Sequence, residues 1–174
     1  MVFDFTKASL AGQIVPTELE NIMLDATTDL KSMLKRPDLV CSQAFVGGEW
    51  VDAKSGKTFD VTNPARGDVI ATVTDLDRSE ITQAIDAAHK SQKAWAALAA
   101  KERAKVLRKW FDLLMANQED LAIIMTAEQG KPLVESRGEV AYGASFVEWF
   151  GEEAKRNYGE TIPGHMADKR ITVI

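Results

Sequence analysis

The sequence has 174 residues, of which 45% are hydrophobic and 27% charged, with a formal net charge of −5. This length allows one domain with a hydrophobic core. The acidic balance argues against nucleic acid or an anionic membrane as a partner, and no apolar run approaches the ~18 residues of a membrane span. The N-terminus resembles neither a signal peptide nor an Arg-rich transit peptide. The single cysteine, Cys41, excludes an internal disulfide, and we expect a cytoplasmic protein.

Residues 1–32 differ in character from the rest of the chain. They contain Gly12, Pro16 and scattered threonines, and a loose 3.6-residue apolar period from Thr17 to Leu30 indicates a short helix. Two interpretations remain open. Either these residues are an upstream extension and Met33 is the true start, or they form an N-terminal arm on a unit comprising residues 33–174.

Residues 43–73 predict two antiparallel hairpins. The first is indicated by Gly47-Gly48, a two-residue turn that tolerates positive φ between two β-prone runs. The second surrounds a turn over residues 63–68, in which Asn, Pro, Gly and Asp are all favoured. The predicted strands are Ala44–Val46, Glu49–Val51, Thr58–Val61 and Val69–Val73.

From Asp77 the apolar period becomes helical, and four helices are expected. Asp77 and Glu80 have the spacing of a capping box at the start of the first helix. The others are predicted over about Ala100–Ala116, from the cap Asn117 to a stop at Gly130 and Pro132, and over about Leu133–Tyr158, stopped by Gly159. The predicted inward positions are Ile81, Ala84, Ile85, Ala88 and Trp95; Val106, Leu107, Trp110, Leu113 and Leu114; Leu121, Ile124 and Met125; and Tyr142, Phe146, Trp149 and Phe150.

The last residues, 169–174, are a β-prone run that we expect to form an unpaired strand, Arg170–Ile174. A lone strand of this length is unstable in water. The expectation is therefore that the sequence is the front part of a longer protein.

A search for catalytic groups finds little. His89 and His165 have no metal-type spacing, and the sequence contains neither a GxGxxG nor a Walker loop. Cys41 has no activating neighbour and is interpreted as an inert thiol. A basic run is interpreted as a solvated helix face, since its charges alternate with Glu102 and apolar residues; it comprises Lys101, Arg103, Lys105, Arg108 and Lys109.

Several motifs resemble the N-terminal signatures of the aldehyde dehydrogenase superfamily. They are Glu49-Trp50-Val51, 61–67, Trp95, Arg103, Leu107-Arg108, 128–132, Glu135, Gly138-Glu139, 148–150, Tyr158-Gly159 and 161–163. The blocks at 146–156 and 164–170 are most similar to the succinate-semialdehyde dehydrogenases. The resemblance covers roughly residues 34–174 and leaves out residues 1–32.

The resemblance implies an α/β fold, aldehyde dehydrogenase-like, of which this chain is the N-terminal part only. That part would contain two β-hairpins, about four helices of the cofactor-binding domain and the first strand of the oligomerisation arm. Family members oxidise aldehydes with NAD or NADP through a cysteine thiolate, a glutamate base and an asparagine in the oxyanion hole. None of these residues, nor any cofactor contact, has a matching position here. We therefore expect no catalytic residue, no bound NAD(P) and no activity in this chain.

Two weaker sites follow from the resemblance. Family members often bind a monovalent cation at positions that match Thr62 and Glu128, although Glu128 has an equally good interpretation as a local hydrogen-bond acceptor. The helix with Tyr142 and Phe146 borders the substrate channel in the family. At their helical spacing, these aromatic residues are otherwise ordinary core.

Three functional hypotheses remain open. The chain is part of a succinate-semialdehyde dehydrogenase of 4-aminobutyrate degradation, which would act on a small aldehyde as a homo-oligomer. Alternatively, the substrate is glutarate semialdehyde or an uncharged aldehyde. The third hypothesis is a non-catalytic helical interaction module. The unbroken apolar stripe of Tyr142, Phe146 and Trp149 argues against it, because a free-standing surface should carry polar residues there.

Overall fold

The computed structural model describes residues 29–174, so the helix predicted over Thr17–Leu30 lies almost entirely outside the described residues. Two short 3-10 helices, Leu30–Met33 and Pro37–Leu39, precede the regular elements. The strands are β1 (Ala44–Val46), β2 (Glu49–Val51), β3 (Thr58–Thr62), β4 (Val69–Thr74), β5 (Glu160–Pro163) and β6 (Arg170–Val173). The helices are α1 (Arg78–Ala97), α2 (Ala100–Ala116), α3 (Gln118–Gln129) and α4 (Leu133–Glu153).

The two predicted hairpins are confirmed. β1 pairs with β2 around Gly47 and Gly48, both of which have positive φ, and β3 pairs with β4. Phe45 lies opposite Trp50, and their rings pack with centroids 5.1 Å apart. The β3–β4 strands extend one residue further than predicted and are separate from the first sheet.

The unpaired terminal strand is a wrong prediction. β6 pairs antiparallel with β5, from Glu160 opposite Val173 to Pro163 opposite Arg170. Gly159 lets the last residues approach, because a Cβ at that position would overlap the carbonyl of Val173. The expected strand therefore belongs to a third hairpin whose other half contains only two β-branched residues, Thr161 and Ile162.

Four helices are present as expected, and three of them form a cluster. α4 packs along both α2 and α3, whereas α1 packs closely on none of them. Small side chains allow the helices to approach: the buried apolar residues of the cluster are Ala104, Ala122, Ala127, Val140 and Ala144. Gly151 of α4 contributes to this packing, since a Cβ there would lie 3.2 Å from Cβ of Leu107.

Several predicted inward positions are instead exposed. On α1, this applies to Ile81, Ile85, Ala88 and Trp95; on α2, to Val106, Trp110 and Leu113; and on α4, to Tyr142, Phe146, Trp149 and Phe150. Leu107, Leu114 and the predicted positions of α3 are half-buried. Helical periodicity places these residues on shared faces, but no other element of the described residues covers the faces fully.

Two helix ends differ from prediction. α4 ends at Glu153 rather than near Tyr158, because the amides of Lys155 and Arg156 bond to carbonyls three residues back and tighten the chain into turns. Asn117 occupies the expected cap position of α3 but makes no cap bond. Its side-chain amide instead donates to the carbonyl of Leu113 at 2.8 Å and closes the end of α2.

Candidate functional site

The turn between β3 and β4 is built around a buried asparagine. Asn63 Oδ1 accepts the N–H of Ala65 at 2.9 Å, and the Asn63 carbonyl accepts the N–H of Gly67 at 2.7 Å. Arg66 donates twice to the carboxylate of Asp68, at 2.7 and 2.8 Å, and this pairing lowers the pKa of Asp68. The turn is therefore rigid, and it follows Thr62 directly.

The same turn meets the end of α3. Gly130 ends that helix with φ of 78°, and a Cβ added there would lie 3.0 Å from Cγ of Pro64. The contact brings the segment after Thr62 and the helix end that contains Glu128 to one place. Both side chains are exposed, and in the part of the chain that the structure describes no three His, Cys, Asp or Glu residues group as metal ligands. The monovalent cation site at Thr62 and Glu128 stays a prediction.

Side-chain bonds hold α3 against α4 beyond this junction. Thr126 and Ser136 share a hydrogen bond of 2.9 Å, and Lys131 pairs with Glu139. At the other end of α3, Arg137 donates two bonds of 2.7 Å to Glu119. The guanidinium lowers the pKa of Glu119 by hydrogen bonding and by its positive charge. Glu128 on α3 and the aromatic residues on α4 thus lie on two helices whose relative positions these bonds fix.

The two predicted channel residues lie together on α4. Tyr142 and Phe146 are one helical turn apart, and their rings meet edge to face with centroids 4.8 Å apart. With Trp149 they line an open groove of about 630 Å³. Glu148 at its side is held by Arg108 of α2 at 3.0 Å. The groove offers an apolar wall, and its assignment to a substrate channel stays a prediction.

The remaining candidates are dispersed. His89 is exposed on α1, His165 is exposed in the β5–β6 loop, and Cys41 is a half-buried free thiol before β1. The basic run of α2 is mostly exposed as expected. Arg103 is the exception: it donates to the carbonyls of Ala96 and Leu98 and closes the end of α1. These positions bring no nucleophile, base and electrophile together.

Sequence reasoning missed a buried carboxylate at the start of α3. Asp120 accepts the backbone N–H groups of Lys35 and Arg36, which lie some 85 residues earlier. An acidic residue in the first turn of a helix is ordinary, so nothing local distinguishes Asp120 from Glu119. Only the fold shows that one carboxylate is buried and the other paired with Arg137.

Comparison with known proteins identifies the family to which this chain belongs. The family model described as the aldehyde dehydrogenase family matches residues 50–174. This chain belongs to that family, and the predicted α/β fold of its N-terminal portion is confirmed. No helix among the described residues is long and apolar enough to cross a membrane.

Semialdehyde dehydrogenases are among the similar proteins. The chain is 60% identical over 141 residues to glutarate-semialdehyde dehydrogenase of Pseudomonas aeruginosa, and 56% identical over 141 residues to the NADP(+) succinate-semialdehyde dehydrogenase of Escherichia coli. In each case the match includes 81% of this chain and 29% of the relative. The crystal structure of succinate-semialdehyde dehydrogenase from Burkholderia pseudomallei superposes with a TM-score of 0.76 at 51% identity, over 81% of this chain and 29% of that one. The chain thus spans less than a third of the length of these relatives.

Proposed function

We propose that this chain supplies the N-terminal part of a cytoplasmic, NAD(P)-dependent dehydrogenase that oxidises succinate semialdehyde to succinate, as in 4-aminobutyrate degradation. The supporting observation is the 56% identity to the Escherichia coli succinate-semialdehyde dehydrogenase, together with the 51% identity and matching fold of the Burkholderia structure. The sequence blocks at 146–156 and 164–170 favour the same substrate class.

Glutarate semialdehyde is the second candidate substrate. Two glutarate-semialdehyde dehydrogenases, from Pseudomonas putida and Pseudomonas aeruginosa, are 58% and 60% identical to this chain. The two substrates share an aldehyde and a carboxylate and differ by one methylene, which an apolar pocket distinguishes by only about 1–3 kcal/mol. A single apolar channel wall can therefore accommodate either semialdehyde.

The described residues do not fit a dinucleotide. The strand-to-helix junction among them, β4 to α1, has no glycine-rich turn, and the helix N-terminus is occupied by the carboxylates of Asp77 and Glu80. Those charges would repel a pyrophosphate where a helix dipole otherwise attracts one. We therefore assign this chain no step in hydride transfer, and we propose that alone it binds no NAD(P) and has no turnover.

The roles proposed for this chain are structural parts of the site. Tyr142 and Phe146 form one wall of the substrate channel, and Thr62 with Glu128 provides oxygen atoms to a monovalent cation at the Pro64–Gly130 junction. The β5–β6 hairpin contributes to the arm through which family homo-oligomers assemble.

A chimera tests this proposal. Residues 34–174 would replace the corresponding segment of the Pseudomonas aeruginosa enzyme, and reduced cofactor would be followed by absorbance with each semialdehyde. We expect turnover by the chimera and none by the isolated chain. A folded but inactive chimera would contradict the proposal. Turnover by the isolated chain would refute its assigned inactivity, and its loss in Cys41→Ala would identify Cys41 as the nucleophile.

The same chimera tests the site residues. We expect Phe146→Ala to raise KM for the semialdehyde several-fold and Val134→Ala, an exposed control on the same helix, to leave KM unchanged. We expect Glu128→Gln to weaken the dependence of activity on potassium or sodium, with Gln129→Ala as the neighbouring control. Equal behaviour of variant and control would remove that residue from the site.

A further inference from the structure

The segment at residues 29–42, here called the strap, crosses between the helices and the strands. It begins with Asp29, which caps the first 3-10 helix by accepting the N–H of Lys31 and, through its carbonyl, that of Ser32. Leu30 and Leu34 are 5% and 8% exposed, and the first 3-10 helix packs against α3. The strap is thus anchored on the helical cluster by two apolar side chains.

The carboxylate of Asp120 binds the middle of the strap, just after the two leucine anchors. Asp120 is 4% exposed, its Oδ1 accepts the N–H of Lys35 at 3.1 Å, and its Oδ2 accepts the N–H of Arg36 at 2.7 Å. The Arg36 side chain points elsewhere, donating to Asp38 at 2.8 and 2.6 Å. Two consecutive backbone amides therefore satisfy the buried charge, and such charge-assisted bonds are about twice as strong as neutral ones.

The far end of the strap is bonded to the strands. The carbonyl of Ser42 accepts the N–H of Thr74, the last residue of β4, at 2.9 Å. The hydroxyl of Thr74 in turn accepts the N–H of Ala53, just after β2, at 2.6 Å. Thr74 thereby connects the end of the strap to both N-terminal hairpins.

We propose that the strap fixes the β1–β4 hairpins to the α2–α4 cluster, and that Asp120 is the residue that keeps it closed. The strap has no regular ladder with its neighbours. Its attachments are the two leucines, the Asp120 pair of bonds and the bond to Thr74. Segments with so few attachments open locally at a lower free energy than the whole domain. Opening at Asp120 precedes unfolding of the helices and leaves the contact of Pro64 with Gly130 to hold the β3–β4 hairpin against α3.

Limited trypsin digestion tests the strap, because Lys31 and Lys35 are cleavage sites within it whereas Arg36 is protected by the following proline. Loss of two hydrogen bonds to a charged group predicts cleavage at these lysines about ten- to a hundredfold faster in Asp120→Ala, with a smaller rise in Asp120→Asn. Asp112→Asn, an exposed aspartate paired with Arg108, is the control and should cleave as the parent chain does.

Two results would overturn the proposal. One is cleavage at Lys31 and Lys35 that is the same in all variants. The other is cleavage at Lys101 and Lys155 that increases as much as cleavage within the strap. That result would mean that Asp120 supports the whole domain instead.

Hydrogen exchange of the unaltered chain gives a second measurement if Asp120→Ala does not fold. The amides of Lys35, Arg36 and Thr74 should then exchange together and before those of α3 and α4. Exchange of all of them in one step, at one rate, would contradict a separately opening strap.

Discussion

At the scale of single residues, buried polar side chains fix the junctions between elements. Within residues 29–174, four are buried: Asn63, Glu80, Asp120 and Ser136. Glu80, Asp120 and Ser136 each bond to a group on another segment, whereas Asn63 bonds within the β3–β4 turn. No buried side-chain nitrogen or oxygen among the described residues lacks a partner. Because such a group costs free energy when its partner is lost, these positions specify the arrangement more sharply than the small apolar core does.

Glu80 gives the first prediction. It completes the capping box by accepting the N–H of Asp77 at 2.9 Å, and its other oxygen accepts the N–H of Lys54 at 2.8 Å. Glu80→Ala should lower the free energy of unfolding by about 2–3 kcal/mol, measured by urea denaturation, since it removes a cap and a link to the first hairpin. Glu135→Ala, an exposed glutamate in the first turn of α4, should change it little. Equal losses in both variants would show that the two bonds add nothing.

The Glu119–Arg137 pair gives a prediction on pH. Arg137 lowers the pKa of Glu119 below its ordinary 4.5 in the folded state. The unfolded chain therefore takes up a proton at a higher pH than the folded chain, so this pair stabilises fully above about pH 5 and progressively less as the pH falls through the folded pKa. The pKa values of Asp38, Asp68 and Asp77 are lowered too, so these carboxylates also stabilise the fold less as the pH falls.

Urea midpoints between about pH 7 and pH 3 measure this effect. The parent chain should lose stability toward acid, and Glu119→Gln should lose less over the same interval because it has no proton to gain. Glu135→Gln should retain the parent slope. A slope in Glu119→Gln as steep as that of the parent would mean that the pair does not contribute.

At the scale of elements, the features set by neighbouring residues were predictable and those set by distant ones were not. The Gly47-Gly48 turn, the Asp77–Glu80 capping box, α2 and the stop at Gly130 are local, and all are confirmed. The missed β5–β6 pairing joins the β-prone β6 to a weakly β-prone β5 across a six-residue loop. No glycine or proline lies between Glu153 and Gly159, so helical periodicity predicts a longer α4 than the structure has.

The residues of the candidate site likewise divide into those that local sequence predicts and those that it does not. The spacing of Tyr142 and Phe146 predicts one helix face, and the structure places the rings in contact. The cation positions Thr62 and Glu128 came from resemblance alone and stay a prediction. Asp120 could not be found, because its partners are 84 and 85 residues away and are backbone amides, which have no sequence signature.

The junction of the β3–β4 turn with α3 gives a prediction with a matched control. Gly130→Ala places a Cβ 3.0 Å from Pro64 in a left-handed backbone, and should cost about 1–2 kcal/mol of unfolding free energy. Gly138→Ala in α4 meets nothing within 4 Å and should stabilise by about 0.5–1 kcal/mol. Thermal and urea denaturation of both variants decide this. The same sign for both would show that the Pro64 contact and the positive φ have no energetic effect.

At the scale of the whole molecule, several apolar faces of the described elements are not covered by any other described element. Tyr142 is 65% exposed and Trp149 62%, next to the exposed Phe146 and Phe150. Every residue of β5 and β6 is exposed. A matching segment that spans about 29% of its relatives leaves most of their chain unrepresented, and faces of this kind are where a further polypeptide would pack.

This exposure predicts that the isolated chain is marginally stable and associates. Full burial of each large apolar side chain is worth roughly 1.5–3 kcal/mol, so two or three unburied ones approach the ~5–15 kcal/mol that stabilises a domain. The chain should bind a dye specific for apolar surface and elute from size exclusion ahead of a monomer. Replacing Tyr142 and Trp149 together by glutamine should reduce both, whereas Val134→Gln, exposed elsewhere on α4, should reduce neither. A monodisperse parent chain with a sharp cooperative melt and no dye binding would instead favour the non-catalytic interaction module, because it would show a surface stable without further chain.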